Sequence, residues 1–565
     1  MMKKSMSKAL SLLLALSMVL ALAACGPTTT EPSKSPAPTT SQGGATEPSN
    51  EPAPTGEELA DEQVFSFILR TEPTTLDPWT NNSGEGSIVI AAIHEPLLRK
   101  NTDGSWAPGL CTDYVKSADS KTHTLTLRTD AKWQDGSSIT MDDVMYSIER
   151  AISPETASEI AYRYFPILNA EAFFTGEVDF DQVGVKAPDD HTIVFTTTEP
   201  CDFFIDMVTA DSMAPIQKAA AENLGELYGT DADKVVASGP FKLTDWTHQN
   251  SMVLEKNENY WDAANVKLER LEMTITSDTN TSLGMYQNGE LSVLRVANDL
   301  LDIFPAEELE VDTRLKVTFI EFNPSNEFLA NKNIREAFSI AFNRQVFAEQ
   351  ILKNGKLAAY GLVPYGVVGL DGGDFREQAG NVVSDATDPA EIERAKELLQ
   401  TGLDELGKTV EDLQNGFAIQ CLESGKQQAQ SIQNMWKTNL GVEMPVSVMD
   451  IGVLLPMLME GTFDCVIGGG QDSNYRDPQG FMQFIYDEGK WDNEEFKSLV
   501  EKAHTQTGDE RIQTWMDIEK LVLDNFIYIP QVYAENNWAV ADNVRGLNIY
   551  TYGYEFDFKD VYIVK

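Results

Sequence analysis

Hydrophobic and polar positions alternate in short blocks along the chain, and the period of the alternation switches between two and about 3.6. Residues 64–70, 123–128, 191–197 and 271–276 read as strands, with Leu125 and Leu127, then Ile193 and Phe195, at period two. Helices lie between them. Thr140 with Asp143 forms a capping-box pattern ahead of Val144, Ile148 and Ile152 at four-residue spacing. Asn333 and Glu336 open a second helix whose Ile334, Ala337, Phe338 and Ala341 share one face. Asp388-Pro389 with Glu391 opens a third, since proline suits the first helical turn. These stripes are core and carry no chemistry. Strands interleaved with helices over 565 residues, without an internal repeat, predict a mixed α/β architecture with at least two lobes.

The first 62 residues break this pattern. Lys3, Lys4 and Lys8 precede an apolar and small-residue run over 9–24, too short to span a bilayer, which needs about 20 residues. Basic, apolar, then small is the order of a secretory signal peptide. It ends in Leu22-Ala23-Ala24-Cys25, which resembles a bacterial lipobox and implies cleavage before Cys25 and lipidation of its sulfur. The rival reading is an ordinary signal peptide with an incidental cysteine. Residues 25–62 are rich in Pro, Ser, Thr and Glu and hold no aromatic residue, so they cannot bury enough apolar area to offset their ordering entropy. They read as a tether reaching roughly 30–35 Å, on which the folded body is anchored to a membrane without spanning it.

Charge narrows the partners. Asp plus Glu number 88 against 43 Lys plus Arg, a formal net charge of -45 that repels phosphate backbones and excludes nucleic acid as a partner. The five cysteines form no CxxC; Cys111, Cys201, Cys421 and Cys465 are either disulfides or buried thiols, and their spacing reveals no connectivity. No HExxH, GxSxG or GxxxxGK[ST] occurs, and the five histidines are scattered, so neither a metal site, a cofactor nor an exported hydrolase is expected. Asp472-x-Asn474-x-Arg476 is not a calcium loop, because Arg occupies a ligand position and the required Gly and Glu are missing.

Several segments, in order, resemble the family 5 extracellular solute-binding proteins, the oligopeptide and dipeptide receptors of ABC importers. They are Thr74-Thr75-Leu76-Asp77-Pro78, His94-Glu95-Pro96-Leu97-Leu98, and Ala131-Lys132-Trp133-Gln134-Asp135-Gly136 running on to Tyr146-Ser147. Ser238-Gly239-Pro240-Phe241, Asn257 with Asn259-Tyr260-Trp261, the stretch 333–344, and Asp477-Pro478 with Phe481 continue the series. Asn343 stands where the family usually has Asp. The resemblance implies a large, cluster C type, periplasmic-binding-protein-like two-lobe clamp with a hinge and an interlobe cleft. Lobe I is expected at 63–318 plus 527–565 and lobe II at 319–526. It also implies that the solute is handed to ABC transporter permease subunits; a monomer is expected because nothing in the chain advertises a heptad or an exposed apolar helix.

In peptide-binding members an Asp three positions before the Asp/Glu-Pro pair holds the ligand's amino group. Here that position is Asn474, with Asp472 two residues further back beyond Gly468-Gly469-Gly470-Gln471. Either Asp472 takes the role after a small shift, or the ligand lacks a free ammonium. Asp477, Tyr475, Trp79, Asn81, Asn323, Tyr365 and Tyr533 are further candidate ligand-binding residues by their place near motif ends. The family also includes receptors for nickel complexes, sugars and other small solutes, and a sensory lipoprotein would share these features.

Overall fold

The computed structural model describes residues 57–352, 356–489 and 491–565. The signal-peptide segment, Cys25 and the tether up to residue 56 lie outside the described residues. Strands occur where the period-two runs place them, at Val64–Leu69, Thr122–Leu127, Thr192–Thr196 and Arg270–Ile275.

Helix α1 (Met141–Ala151) carries the full capping box: Thr140 accepts from the Asp143 N–H while the Asp143 carboxylate accepts from Thr140 N–H. A fourteen-residue strand, β1 (Leu309–Phe322), leads into helix α2 (Lys332–Ala341). This helix starts earlier than its sequence signal indicates. Asn331 is the cap, accepting from Ile334 N–H, whereas Asn333 sits in the first turn and turns its amide to Glu405. Helix α3 (Pro389–Leu406) has Asp388 as its cap, Pro389 in its first turn and Gly407 in the left-handed conformation at its end. Strands β2 (Cys465–Asp472) and β3 (Tyr528–Val540) complete the second half of the chain.

Two bodies of core result. In the first, a four-stranded sheet (64–69, 270–275, 251–256, 241–247) and a second one (111–116, 122–127, 192–196, 185–186) surround Phe65, Phe67, Trp79 and Trp133. The C-terminal tail returns here, stacking Phe558 on Phe67 at 5.4 Å. In the second body, α2 and α3 pack around Phe338 and Trp436 on one side of a sheet, and Phe481, Trp515 and Tyr528 pack on the other.

The two bodies share β1 and β3, which run antiparallel from Leu309 opposite Ala539 to Glu321 opposite Tyr528. One end of the pair is packed in the first body through Trp538, the other in the second through Ile320, Phe322 and Ile529. The expected lobe limits at 318/319 and 526/527 therefore fall inside β1 and just ahead of β3. Their register breaks between Thr313 and Val317, an irregularity of the kind that bends a strand pair where the two bodies meet.

The last residues before the first strand are held down: Leu59 bridges to Val564, the Lys565 N–H bonds to the Glu58 carbonyl, and Arg545 pairs with Glu57.

Candidate functional site

The site is built around the turn after β2. Strand β2 pairs with β1 so that Gly470 lies against Thr318, and a Cβ there would come within 2.8 Å of the Val317 carbonyl. The glycine run thus lets the two backbones approach closely. Past it, the Ser473 hydroxyl donates to the Tyr475 carbonyl and accepts from the Tyr475 N–H, folding 473–475 into a tight turn. The turn is anchored by Asp477, whose two oxygens take the Arg511 guanidinium at 2.6 and 2.9 Å.

Tyr475 crosses to the first lobe and stacks on Phe203, with ring centroids 4.2 Å apart. Asp472, half-buried at the end of β2, is in register with Lys316 of β1, so their side chains share one face. Neither side chain has an ion-pair partner among the described residues. Across the cleft, Asp472 acts electrostatically on Tyr162 of the first lobe, whose hydroxyl is held above its ordinary pKa chiefly by burial. Asn474 is half-buried in the same turn.

The floor between the lobes is charged. Asp312 and Arg314 lie 3.6 Å apart on β1, and Arg295 bonds to Glu555 of the C-terminal tail at 3.3 Å. Burial, with the Asp312 carboxylate nearby, pushes Glu535 of β3 up to about 7. Burial, with Lys316 and Arg295 nearby, brings Lys356 down to about 8. Such a floor suits a polar solute held by several fixed groups in an enclosed cleft.

The other sequence candidates have partners inside the protein. Trp79 is fully buried, packed on Tyr164 at 5.2 Å. Asn81 donates to the Ser83 carbonyl and the Ser87 hydroxyl. Asn323 donates to the carbonyls of Gly461 and Phe463 at 2.9 and 2.6 Å. Tyr533 is buried, its hydroxyl donating to the Gly361 carbonyl and accepting from the Gly361 N–H. Tyr365 is exposed and meets Tyr533 edge-on at 5.7 Å. The turn thus gathers Asp472, Asn474, Tyr475 and Asp477, while Trp79, Asn81 and Asn323 lie elsewhere, tied into their own lobes. Sequence reasoning missed Lys316, Tyr162, Phe203 and Asp206. Only Lys316 sits in a local pattern, the polar positions Lys316 and Thr318 alternating with Leu315, Val317 and Phe319 along one strand.

Among the described residues no three His, Cys, Asp or Glu side chains are placed to hold a metal ion. No helix among them is long and apolar enough to cross a membrane. Two α/β lobes joined by crossing strands, with a polar cleft between them, define a periplasmic-binding-protein-like solute-binding protein. The chain belongs to the bacterial extracellular solute-binding proteins, family 5, whose model matches residues 105–493. It is 29% identical over 498 residues to the oligopeptide-binding protein OppA of Bacillus subtilis, covering 85% of this chain and 89% of that one. The dipeptide-binding protein DppE of the same organism is 28% identical, with 87% and 91% covered. Among solved structures, the substrate-binding domain of an oligopeptide ABC transporter from Bacillus anthracis superposes with a TM-score of 0.72 at 26% identity, over 90% of this chain and all of that one.

Proposed function

We propose that this protein is a non-enzymatic receptor that captures peptides outside the cytoplasm and delivers them to an ABC importer. In this reading the mature chain is a monomer held at the bacterial membrane by a lipid on Cys25. Lobe I comprises 63–318 plus 527–565, and lobe II comprises 319–526. The observation that carries the peptide assignment is Asp472, a half-buried carboxylate without a partner among the described residues, on the cleft face opposite Tyr162. An unpaired carboxylate in such a place is costly unless the ligand supplies the cation, and a peptide's terminal ammonium does so. The names of the relatives support the same ligand class. Asn474, Tyr475 and Tyr365 would contact the ligand's backbone and side chains, and Asp477 would hold the turn. A second reading rests on Asn474 alone: an amide at the amine-reading position fits a solute without a free ammonium.

Thermal unfolding of the Cys25→Ser chain with peptides, sugars and nickel complexes separates these readings. A ligand at 100 times its dissociation constant stabilises the fold by about 2.7 kcal/mol. A rise in Tm with peptides, reduced in Asp472→Asn, supports the first reading. A rise with peptides that have blocked N-termini, unaffected by Asp472→Asn, supports the second. Absence of any rise with peptides removes the peptide assignment. For the anchor, wild-type chain in the membrane fraction and Cys25→Ser in the soluble fraction is the expected outcome.

A further inference from the structure

Arg476 lies two residues beyond Asn474 in the recognition turn, yet its side chain belongs to the opposite lobe. Its backbone N–H donates to the Asp206 Oδ2 at 2.8 Å, and its Nη2 reaches the Asp206 Oδ1 at 3.2 Å and the Gly104 carbonyl at 2.6 Å. Gly104, with φ of +81°, packs so closely that a Cβ there would lie 1.4 Å from the Arg476 Nη1. Asp206 is itself fixed from a third direction, because the Tyr552 hydroxyl bonds to its Oδ1 at 3.1 Å. Tyr552 lies in the tail segment whose Tyr550 and Gly553 carbonyls accept from Arg314, at the bend of β1. The Arg476 carbonyl, meanwhile, accepts from Val368 N–H and keeps the turn attached to the second lobe.

From this geometry we infer that Arg476 is a positioning residue that latches the second lobe onto Asp206 and Gly104 of the first. Closure and ligand reading are thereby one movement. The inference rests on the receptor reading above and adds to it. A guanidinium fork on a carboxylate and a carbonyl is directional, so it holds the turn in one orientation and with it Asp472 and Asn474. The latch forms only when the lobes meet, because its donors and acceptors come from different lobes. Any ligand that orders the turn in this orientation therefore favours the closed state by population shift. Tyr475 on Phe203, next to the latch, adds ring contact to the same interface.

The test is the interlobe distance in the full-length Cys25→Ser chain, read by energy transfer between dyes on Asp190→Cys and Glu411→Cys. Both positions are exposed, one on each lobe, whereas Cys111, Cys201, Cys421 and Cys465 are buried. Distances are recorded without ligand and with a mixture of tri- to pentapeptides. In Arg476→Ala and in Asp206→Ala the closed-to-open ratio is expected to fall at least about tenfold, as loss of a charge-assisted pair implies. The double variant is expected to fall by less than the sum of the two single losses, because the bond between the Arg476 and Asp206 side chains is lost in all three, while the Arg476 N–H to Asp206 and the Arg476 side chain to Gly104 are lost separately. Arg476→Lys, which keeps the charge and loses the fork, should lie between. Circular dichroism identifies any variant that fails to fold; the conservative Arg476→Lys and Tyr552→Phe then carry the comparison. An unchanged ratio in folded variants, additive losses, or a wild type with no closed population in either condition overturns the latch. A wild type whose distance ignores peptides while the variants still open overturns the peptide reading and leaves the latch standing.

Discussion

Asp477 and Arg511 form a two-pronged ion pair, 2.6 and 2.9 Å long, in which both side chains are almost wholly buried. The pair joins the turn after β2 to the helix Gly508–Asp524. Removing one partner leaves the other charge buried without compensation, which costs roughly 3–5 kcal/mol. Arg511→Ala and Asp477→Ala should each lower stability by that order in urea denaturation monitored by circular dichroism. A change below about 1 kcal/mol would show that the turn does not depend on the pair.

Acid should weaken the fold through His94. Burial holds its imidazole down to about 3, from an ordinary value of 6.5. The unfolded chain then binds a proton below about pH 6.5 that the native state refuses until about pH 3, so stability is complete above this window and declines as pH falls through it. One such group contributes a slope of about 1.4 kcal/mol per pH unit. Urea midpoints at pH 4.5, 5.5 and 7 should show a shallower decline in His94→Gln than in wild type. Parallel declines would assign the acid sensitivity to other groups.

The thiols should be unreactive while the protein is folded. Cys111, Cys201, Cys421 and Cys465 are free and buried. Burial raises Cys111 to about 12 and Cys421 to about 11, leaving almost no thiolate at neutral pH. With Cys25→Ser, a thiol reagent should titrate four groups in urea and scarcely any in native buffer over the same minutes. Fast native reaction would point to local opening around one of them.

Lys316 faces the same side of the sheet as Asp472, so under the proposed function a ligand ammonium at Asp472 would also feel that cation. Lys316→Met should tighten binding of a ligand whose ammonium sits there, by about two- to tenfold for a partly screened charge, measured by isothermal titration. Weaker binding would mean that Lys316 holds a ligand carboxylate instead.

Much of this protein was legible in the chain itself. The capping box at Thr140 and Asp143, the Asp388-Pro389 helix start and the period-two strands are local events, decided by side chains within a few residues of the backbone groups they satisfy. The ordered family motifs likewise announced the two-lobe fold. Within the candidate site, the turn from Asp472 to Asp477 was legible because it is contiguous.

Only the tertiary structure decided the rest. Trp79, Asn81 and Asn323 have residue types that suit a cleft, but their hydrogen bonds and ring contacts are made inside their own lobes, and the Tyr533 hydroxyl is taken by Gly361. Asp206, Phe203 and Tyr162 meet the segment from Asp472 to Arg476 from more than 250 residues away in sequence. No local pattern encodes such meetings, since they depend on how β1 and β3 cross between the lobes and on the angle at which they bend. Local propensity sets the elements; which distant carboxylate or ring comes to face a turn is set by packing of whole lobes.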